Sequence, residues 1–298
     1  MSGTVAGELA RTQRVEPDRT LRVASYNIHR CVGSDGRCDP GRVAGVLDEL
    51  QCDIVGLQEV DNSPGPAPTS MQLEYLAARA GMHAVAGLRI VRHMGHYGNA
   101  LLTRHRILGV RRHDLSVSSW FEPRGAVDAE LDIEGLACRV LVTHLGLVPG
   151  ERRQQTRMVL ALVGETPFDE PLVLLGDINE WLPIGRSLRA LHALFGRPPY
   201  ARSFPATFPL FALDRIWTRP RDSLRTMRAH RSRLAREASD HLPVVGEWSL
   251  TEVAAAAPSA QTKEKTGGVE SNSELWGSSS DVNAPVLSIM TTRPCVDG

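Results

Sequence analysis

Asp177 and Asn179 stand two residues apart in the run Pro171-Leu-Val-Leu-Leu-Gly-Asp-Ile-Asn-Glu-Trp181. In an extended chain alternate side chains point the same way, so the carboxylate and the carboxamide can converge on one ligand. Such a pair at the mouth of a buried strand suits a hard cation with a phosphate oxygen beside it. An Asx turn is the competing explanation, because Asp and Asn also bond their own backbone in turns. The company the pair keeps bears on the choice. Asn27, Glu59, Asn99, His144, Asp214 and the pair Asp240-His241 also fall at the ends of segments that read as buried strands. Each has an ordinary explanation when taken singly. Glu59 could be a solvated loop carboxylate, Asn27 and Asn99 could satisfy turns, and His144 could be a core imidazole. Asp214, next to Arg215, could form a structural ion pair worth about 1 kcal/mol or less. Together they are harder to dismiss, since a polar group at a buried strand end costs desolvation energy unless it is paired or ligated. Metal, imidazoles and carboxamides are also what a dianionic pentacovalent phosphoryl transition state requires.

These residues need strands that lie side by side and share one end. Residues 172–175 are four apolar residues between Pro171 and Gly176, the pattern of a strand covered on both faces. Residues 21–26 and 53–57 read as strands that end at Asn27 and at Gln58-Glu59. Between them Asp39-Pro40 supplies a cap and a first-turn proline for a helix with Val43, Val46, Leu47 and Leu50 on one face. A second helix is expected over 69–80, stopped by Gly81. Strands are expected over 83–88, 98–103, 107–115, 124–133 and 137–144. Helices over 151–163 and 187–195 bracket the 172–175 strand and end at Gly164 and Gly196. A Pro/aromatic loop over 197–211 leads to a strand at 213–217. A basic stretch of strand character then runs to Ser239-Asp-His241, and residues 242–250 close the domain.

Length and composition bound the rest. The chain has 298 residues, 42% of them hydrophobic, with Lys+Arg and Asp+Glu balanced at 34 each. No global field draws it to a polyanion, so any such binding must be local. Residues 1–15 show no apolar run of the secretory kind, and nowhere do about 18 apolar residues follow one another. A cytoplasmic protein without a transmembrane segment, and a monomer, is expected. The five cysteines form no CxxC pair, which fits buried free thiols rather than a disulfide framework or a zinc site. Residues 1–20 read as a flexible arm, 21–250 as one catalytic domain, and 251–298 as a disordered tail. The tail holds Lys263 and Lys265, the only lysines of the chain.

Leu21-Arg-Val-Ala-Ser-Tyr-Asn27, Gly56-Leu-Gln-Glu59, Gly98-Asn-Ala-Leu-Leu-Thr-Arg104, Val142-Thr-His144, Gly176-Asp-Ile-Asn179, Leu213-Asp-Arg-Ile216 and Ser239-Asp-His241 occur in this order. The set resembles the motifs of the endonuclease/exonuclease/phosphatase superfamily and covers roughly residues 20–250. The resemblance implies an α/β fold, a deoxyribonuclease I-like two-sheet β-sandwich flanked by helices. It also implies Mg²⁺- or Mn²⁺-dependent hydrolysis of a phosphoester. Carried over by position, Glu59 is the principal metal ligand, Asn27 lies near metal and phosphate, and Asp240 lies close to the metal or to a second one. Asp177 orients or deprotonates the attacking water. Asn179 bonds the phosphoryl oxygens, with Asn99 also on the substrate phosphate. His241 contacts the scissile phosphate while Asp214 fixes its orientation, and His144 stabilises the transition state or helps protonate the leaving oxygen.

A phosphodiester, in nucleic acid or a phospholipid headgroup, is the expected substrate. The inositol-phosphatase type of phosphomonoesterase and a non-catalytic phosphate-binding module are the alternatives. Leu210-Phe-Ala-Leu-Asp214-Arg215 lacks the Pro-Ala-Trp that usually precedes the Asp-Arg pair in the inositol phosphatases. Tyr97-Gly-Asn-Ala-Leu-Leu resembles bacterial sphingomyelinases, whereas Tyr26-Asn-Ile-His29 and Arg202-Ser-Phe-Pro-Ala206 look most like bacterial metal-dependent hydrolases of unassigned substrate. Arg219, Arg221, Arg225, Arg228, Arg231, Arg233 and Arg236 are a candidate grip for nucleic acid or an anionic headgroup, against the simpler reading of solvated positions in an Arg-using chain.

Overall fold

The computed structural model describes residues 20–62, 70–87, 90–92, 95–167 and 170–249. In chain order the elements are β1 (Thr20–Asn27), α1 (Pro40–Leu50), β2 (Ile54–Asn62), α2 (Gln72–Ala80), β3 (His83–Ala86), β4 (Ile90–Arg92), β5 (Gly95–Thr103), β6 (Arg106–Asp114), β7 (Gly125–Ile133) and β8 (Leu136–His144). Then follow α3 (Pro149–Gly164), β9 (Leu172–Asp177), α4 (Arg186–Phe195), β10 (Asp214–Arg219), β11 (Leu224–Ala229), α5 (Arg233–Ala238) and β12 (Val244–Ser249).

Among the described residues the strands form two mixed sheets. One runs β11-β12-β1-β2-β5-β3, with β4 added beside β5, and the other runs β10-β9-β8-β7-β6. Alternation along each strand sorts its side chains into layers. Leu21 and Val23 of β1, Val140 and Val142 of β8, Val173 and Leu175 of β9 and Ile216 of β10 meet between the sheets. Ala24, Tyr26, Val55 and Leu57 face outward, against α1, α2 and α5. Leu141, Leu172, Leu174 and Trp217 face the other way, against α3 and α4. The molecule is therefore the sandwich expected from the sequence, two sheets back to back with helices outside each. Each fully buried Leu, Ile or Val in these layers contributes about 1.5–3 kcal/mol.

Local differences have local causes. The helix expected from residue 69 begins at Gln72, whose side-chain oxygen accepts from the Asp61 amide. The helix expected from residue 151 begins at Pro149, since proline suits a first helical turn. The helix α5 lies in the basic stretch that reads as strand. Ser232 caps it by accepting from the Ala235 amide, but six residues are too few for a helical period to show. Cys31, Cys52 and Cys138 are buried free thiols as expected; Cys38 is free but exposed, which corrects that expectation. The arm at 1–19, the tail at 251–298 and Cys295 lie outside the described residues.

Candidate active site

The parity that buries Val23, Val142, Leu175 and Ile216 also places the polar ends of their strands. Asn27, His144, Asp177 and Asp214 continue the inward-facing rows, and the pairing sets His144 opposite Asp177 and Asp177 opposite Asp214. Where the apolar row stops, the same face becomes a polar cluster at one end of the sandwich. All four residues are buried.

Glu59 reaches this cluster by an irregularity. Strict alternation from Ile54 would turn it outward, away from the site. The β2–β5 register instead shifts by one residue between Leu57 and Val60, and Glu59 takes a left-handed conformation (φ 59°). A non-glycine residue in this region costs about 1–2 kcal/mol, and bulges of this kind commonly re-aim a side chain beside a site. Gln58 stays inside, bonded to Ser25 and to the Gly56 carbonyl, while Glu59 turns to the cleft. Asn179 is likewise left-handed (φ 52°), and its amide donates to Asp177 Oδ1 at 2.9 Å. The Asx turn weighed as the competing explanation is present, and it is part of how the site is built.

The side chains interlock. Asn27 Nδ2 donates to both Glu59 Oε1 and Asp177 Oδ2, at 3.1 Å each, and its Oδ1 accepts from the His29 amide at 3.0 Å. Asp177 Oδ2 lies 3.5 Å from His144 Nε2 and 3.7 Å from His241 Nε2. His241 Nδ1 lies 2.8 Å from Asp214 Oδ2. Asn179 Nδ2 donates to the Leu145 carbonyl at 2.9 Å and lies 3.0 Å from His144 Nε2. Asp240 stands on the cleft wall, half exposed, 3.7 Å from His29 Nδ1 and accepting from Ser239 Oγ. Asn99 lies in an adjoining hollow with Glu59, Tyr97 and His144 and gives its amide to the Gly125 carbonyl. Asn27, Glu59, His144, Asp177, Asn179, Asp214 and His241 thus form one contact network, with Asp240 and Asn99 at its margins.

Burial and neighbouring charge separate the titrating groups. Burial alone would lower the His241 pKa, but the Asp214 and Asp177 carboxylates outweigh it and raise it to about 10. His144 goes the opposite way, well below the usual imidazole range, because it is buried beside Arg124 and His241. Burial also pushes Asp177 up to about 6, the nearby Asp214 adding to the rise and His241 opposing it. One imidazole is therefore cationic and the other neutral at neutral pH, with a carboxylate of raised basicity between them.

An open cleft of about 330 Å³ runs over the network, lined also by Arg30, Tyr97, Glu122, Arg124, Trp181 and Phe204. Arg124 was not among the residues singled out from the sequence. It is buried, its NH1 lies 3.5 Å from His144 Nδ1, its NH2 pairs with Glu122 at 3.0 Å, and its Nε has no partner among the described residues. The usable signal was its place at the start of a strand, as for Asp214. β7 runs antiparallel to β8, so the residue entering β7 comes to lie beside the residue leaving β8. Of the arginine run, Arg225, Arg228, Arg231 and Arg233 are exposed, while three others bond main-chain carbonyls. Arg219 bonds the Glu170 and Thr166 carbonyls, Arg221 those of Leu194 and Ala193, and Arg236 those of Ala206 and Thr207.

Residues 24–241 match the model of the Endonuclease/Exonuclease/phosphatase family. The uncharacterized protein YbhP of Escherichia coli (strain K12) is 31% identical over 256 residues, spanning 78% of this chain and 100% of the relative. Among solved structures, the mannosyl-6-phosphatase Bt3783 of Bacteroides thetaiotaomicron VPI-5482 superposes with a TM-score of 0.63 at 20% identity, over 76% of this chain and 98% of that one. D. rerio TDP2 complexed with single strand DNA product gives 0.57 at 19% identity, over 78% and 100%. At these identities the two structures establish the shared fold.

Proposed function

Because the chain belongs to the endonuclease/exonuclease/phosphatase family, we propose that it is a divalent-metal-dependent hydrolase of a phosphodiester, in nucleic acid or a phospholipid headgroup, acting by in-line attack of water. The observation that carries this reading is the placement of Asp177 Oδ2 among Asn27, His144 and His241, with Asp214 holding the far side of His241. Residues 21–250 are the catalytic domain in this reading, and the enzyme is a cytoplasmic monomer.

The donor set fits a hard cation. Glu59 and Asp177 turn carboxylate oxygens to the same Asn27 amide and Asp240 adds a third at the cleft wall, with no thiol or free imidazole among them. Oxygen ligands of this kind suit Mg²⁺ or Mn²⁺. Asp177, Asp214 and His241 also offer ligand atoms within 4.8 Å of one another. In that trio, however, His241 Nδ1 already bonds Asp214, and its cationic ring is a poor ligand. Glu59 is therefore assigned the metal, with Asp240 on the same cleft and Asn27 next to the ion, holding Glu59 in place through Nδ2. When bound, the ion supplies positive charge to the phosphoryl oxygens.

The protein's own groups divide the remaining work. Asp177, its basicity raised by burial, orients a water and takes its proton. The His241 imidazolium donates from Nε2 to the phosphoryl group, its ring fixed by Asp214 through Nδ1. His144 and Asn179 stand on the other side of Asp177, where they hydrogen-bond the phosphoryl or leaving oxygen, and Asn99 lines the substrate side. The test is hydrolysis of bis(4-nitrophenyl) phosphate with and without Mg²⁺. Wild type turns over only with metal, while Glu59→Ala, Asp177→Asn and His241→Ala lose on the order of 10³-fold or more. Turnover near the wild-type level in folded His241→Ala refutes the site assignment.

A further inference from the structure

Three loops leave the strand ends that carry the polar cluster, and residues 145–150, 181–185 and 204–213 in them contain no charged residue, in a chain that is 23% charged. Instead they expose large apolar side chains: Leu147 (62%), Leu182 (63%), Ile184 (80%), Phe208 (71%) and Leu210 (49%). The loops touch one another. Arg152 bonds the Leu147 carbonyl and pairs with Glu180, joining the first loop to the second. Trp181 packs edge-on against Phe204 and Phe211 at 5.5 and 4.9 Å, joining the second to the third. Leu147, Trp181 and Phe204 also line the cleft, so the apolar rim is continuous with its mouth. Trp120, 92% exposed, stands on the loop that leads to Arg124.

We propose that this rim is an interfacial docking surface that seats the protein on a phospholipid bilayer, with the cleft opening into the headgroup layer. The inference rests on the phosphoesterase reading for what enters the cleft, but the docking surface is tested separately. Monomeric soluble proteins seldom leave several large apolar side chains together on one face without a partner. Residues 145–150, 181–185 and 204–213 offer a nucleic acid no Lys or Arg for its phosphates; exposed Arg186 and Arg202 flank these apolar segments without interrupting them. A bilayer fits both halves. Its interface presents acyl carbon to side chains that reach about 5–10 Å inward and phosphoesters directly above that carbon. The cations stand where headgroups would lie. Arg30 and Arg124 line the cleft, and exposed Arg186 follows Ile184. No helix among the described residues is long and apolar enough to cross a membrane.

The 298-residue chain is sedimented with vesicles of phosphatidylcholine and phosphatidylglycerol in equal parts, and bis(4-nitrophenyl) phosphate turnover is measured in parallel. The variant is Ile184→Asp with Phe208→Asp, two exposed positions outside the polar network. Wild type co-sediments, while the variant binds about tenfold more weakly or worse and hydrolyses the soluble diester at the wild-type rate. Wild type that stays in the supernatant, or a variant that sediments equally well, overturns the proposal. It is also overturned if wild type is a dimer that the variant converts to monomers while neither binds vesicles, since the rim then serves a second copy of the chain. Vesicle binding without soluble-diester turnover leaves the surface standing and sinks the phosphoesterase reading instead.

Discussion

Asp214 holds His241 Nδ1 at 2.8 Å with both side chains buried, while the second Asp214 oxygen has no partner among the described residues. The carboxylate is therefore committed to one task, keeping a buried imidazole cationic and in one orientation. In Asp214→Asn the charge goes but the shape stays. The His241 pKa, raised to about 10 in the native site, falls toward or below its ordinary value. A raised imidazole pKa contributes stability that is complete below the unfolded value, about 6.5. That contribution fades as pH rises through about 10. The variant accordingly loses stability at neutral pH and shows a flatter stability curve between those limits. Its phosphodiester turnover drops by about 10²–10⁴-fold, with the alkaline limb moved to lower pH. Imidazole NMR titration and a pH–rate profile read both effects, and an unchanged alkaline limb would contradict the assignment.

The metal assignment predicts a stability effect independent of turnover. A ligand that binds only the folded state stabilises it, by about 2.7 kcal/mol at a hundredfold excess over its Kd. Mg²⁺ therefore raises the thermal midpoint of wild type, and Glu59→Gln abolishes the rise while leaving the metal-free midpoint close to wild type. Glu59 is only partly buried and its left-handed backbone suits Gln no worse than Glu. An equal Mg²⁺ shift in the variant would move the metal elsewhere, with the Asp177, Asp214 and His241 trio as the next place to look.

Arg124 combines a buried guanidinium, an Nε without a partner among the described residues and a 3.5 Å approach to His144. Its charge helps hold His144 neutral, second to burial. Replacement by Ala should raise the His144 pKa and lower turnover by roughly 10²-fold, the usual cost of one fixed donor. Lys restores the charge but not the planar fork, so it should recover the pKa more fully than the rate. A wild-type rate in the Ala variant would make Arg124 a structural residue only.

How much of this was legible in the chain follows from period and parity. Asp177, His144 and Asp214 could be placed because each stands at the terminus of a segment that reads as a buried strand, and the pairing then aligned them side by side. Glu59 was legible as a type of residue at a strand end, but its direction was not. Alternation points it the wrong way, and only the bulge, which leaves no mark in composition, corrects it. Arg124 precedes β7 much as Asp214 opens β10, but nothing else in its sequence neighbourhood marks it; only the antiparallel pairing of β7 with β8 brings it beside His144. Density along the arginine run likewise does not show which members bond main-chain carbonyls, as Arg219, Arg221 and Arg236 do, and which stay exposed, as Arg225, Arg228, Arg231 and Arg233 do.

Away from the site, Asp128 bonds Arg139 through both oxygens at 2.8 and 2.7 Å and lies 2.8 Å from His113 and 3.2 Å from Arg111. Arg139 in turn reaches the Leu162 carbonyl and Thr166 Oγ1, tying α3 to the sheet. Burial would raise the Asp128 pKa, but the Arg139 and His113 contacts outweigh it and hold it below the usual value. A lowered carboxyl pKa gives stability that is present above the unfolded value, about 3.9, and is lost as pH falls through the native one. Asp128→Asn leaves Arg139 buried without its countercharge and should cost about 3–5 kcal/mol in urea unfolding. Turnover per folded molecule should stay unchanged. Loss of turnover in folded protein would tie this cluster to the site.

Gly56 decides how closely the two sheets approach beneath the polar cluster. A Cβ built there would lie 3.0 Å from Val142 Cγ1 and 3.1 Å from Leu175 Cβ, contacts tighter than packed side chains normally make. Val142 and Leu175 sit two positions before His144 and Asp177, and Gly56 three before Glu59, so the contact lies at the base of all three groups. The backbone at Gly56 is ordinary extended strand, so alanine adds crowding without dihedral strain. The added methyl must push the sheets apart, at about 1–3 kcal/mol. The displacement also widens the gap that Asn27 spans between Glu59 and Asp177 at 3.1 Å on either side. Gly56→Ala should therefore lower both the urea midpoint and Mg²⁺-dependent turnover, the latter by more than the folded fraction explains, though by less than the roughly 10²-fold that a full 1 Å misplacement costs. A variant that loses stability but turns over normally once folded would show that the site tolerates sheet separation, and would remove the link drawn here between core spacing and catalytic geometry.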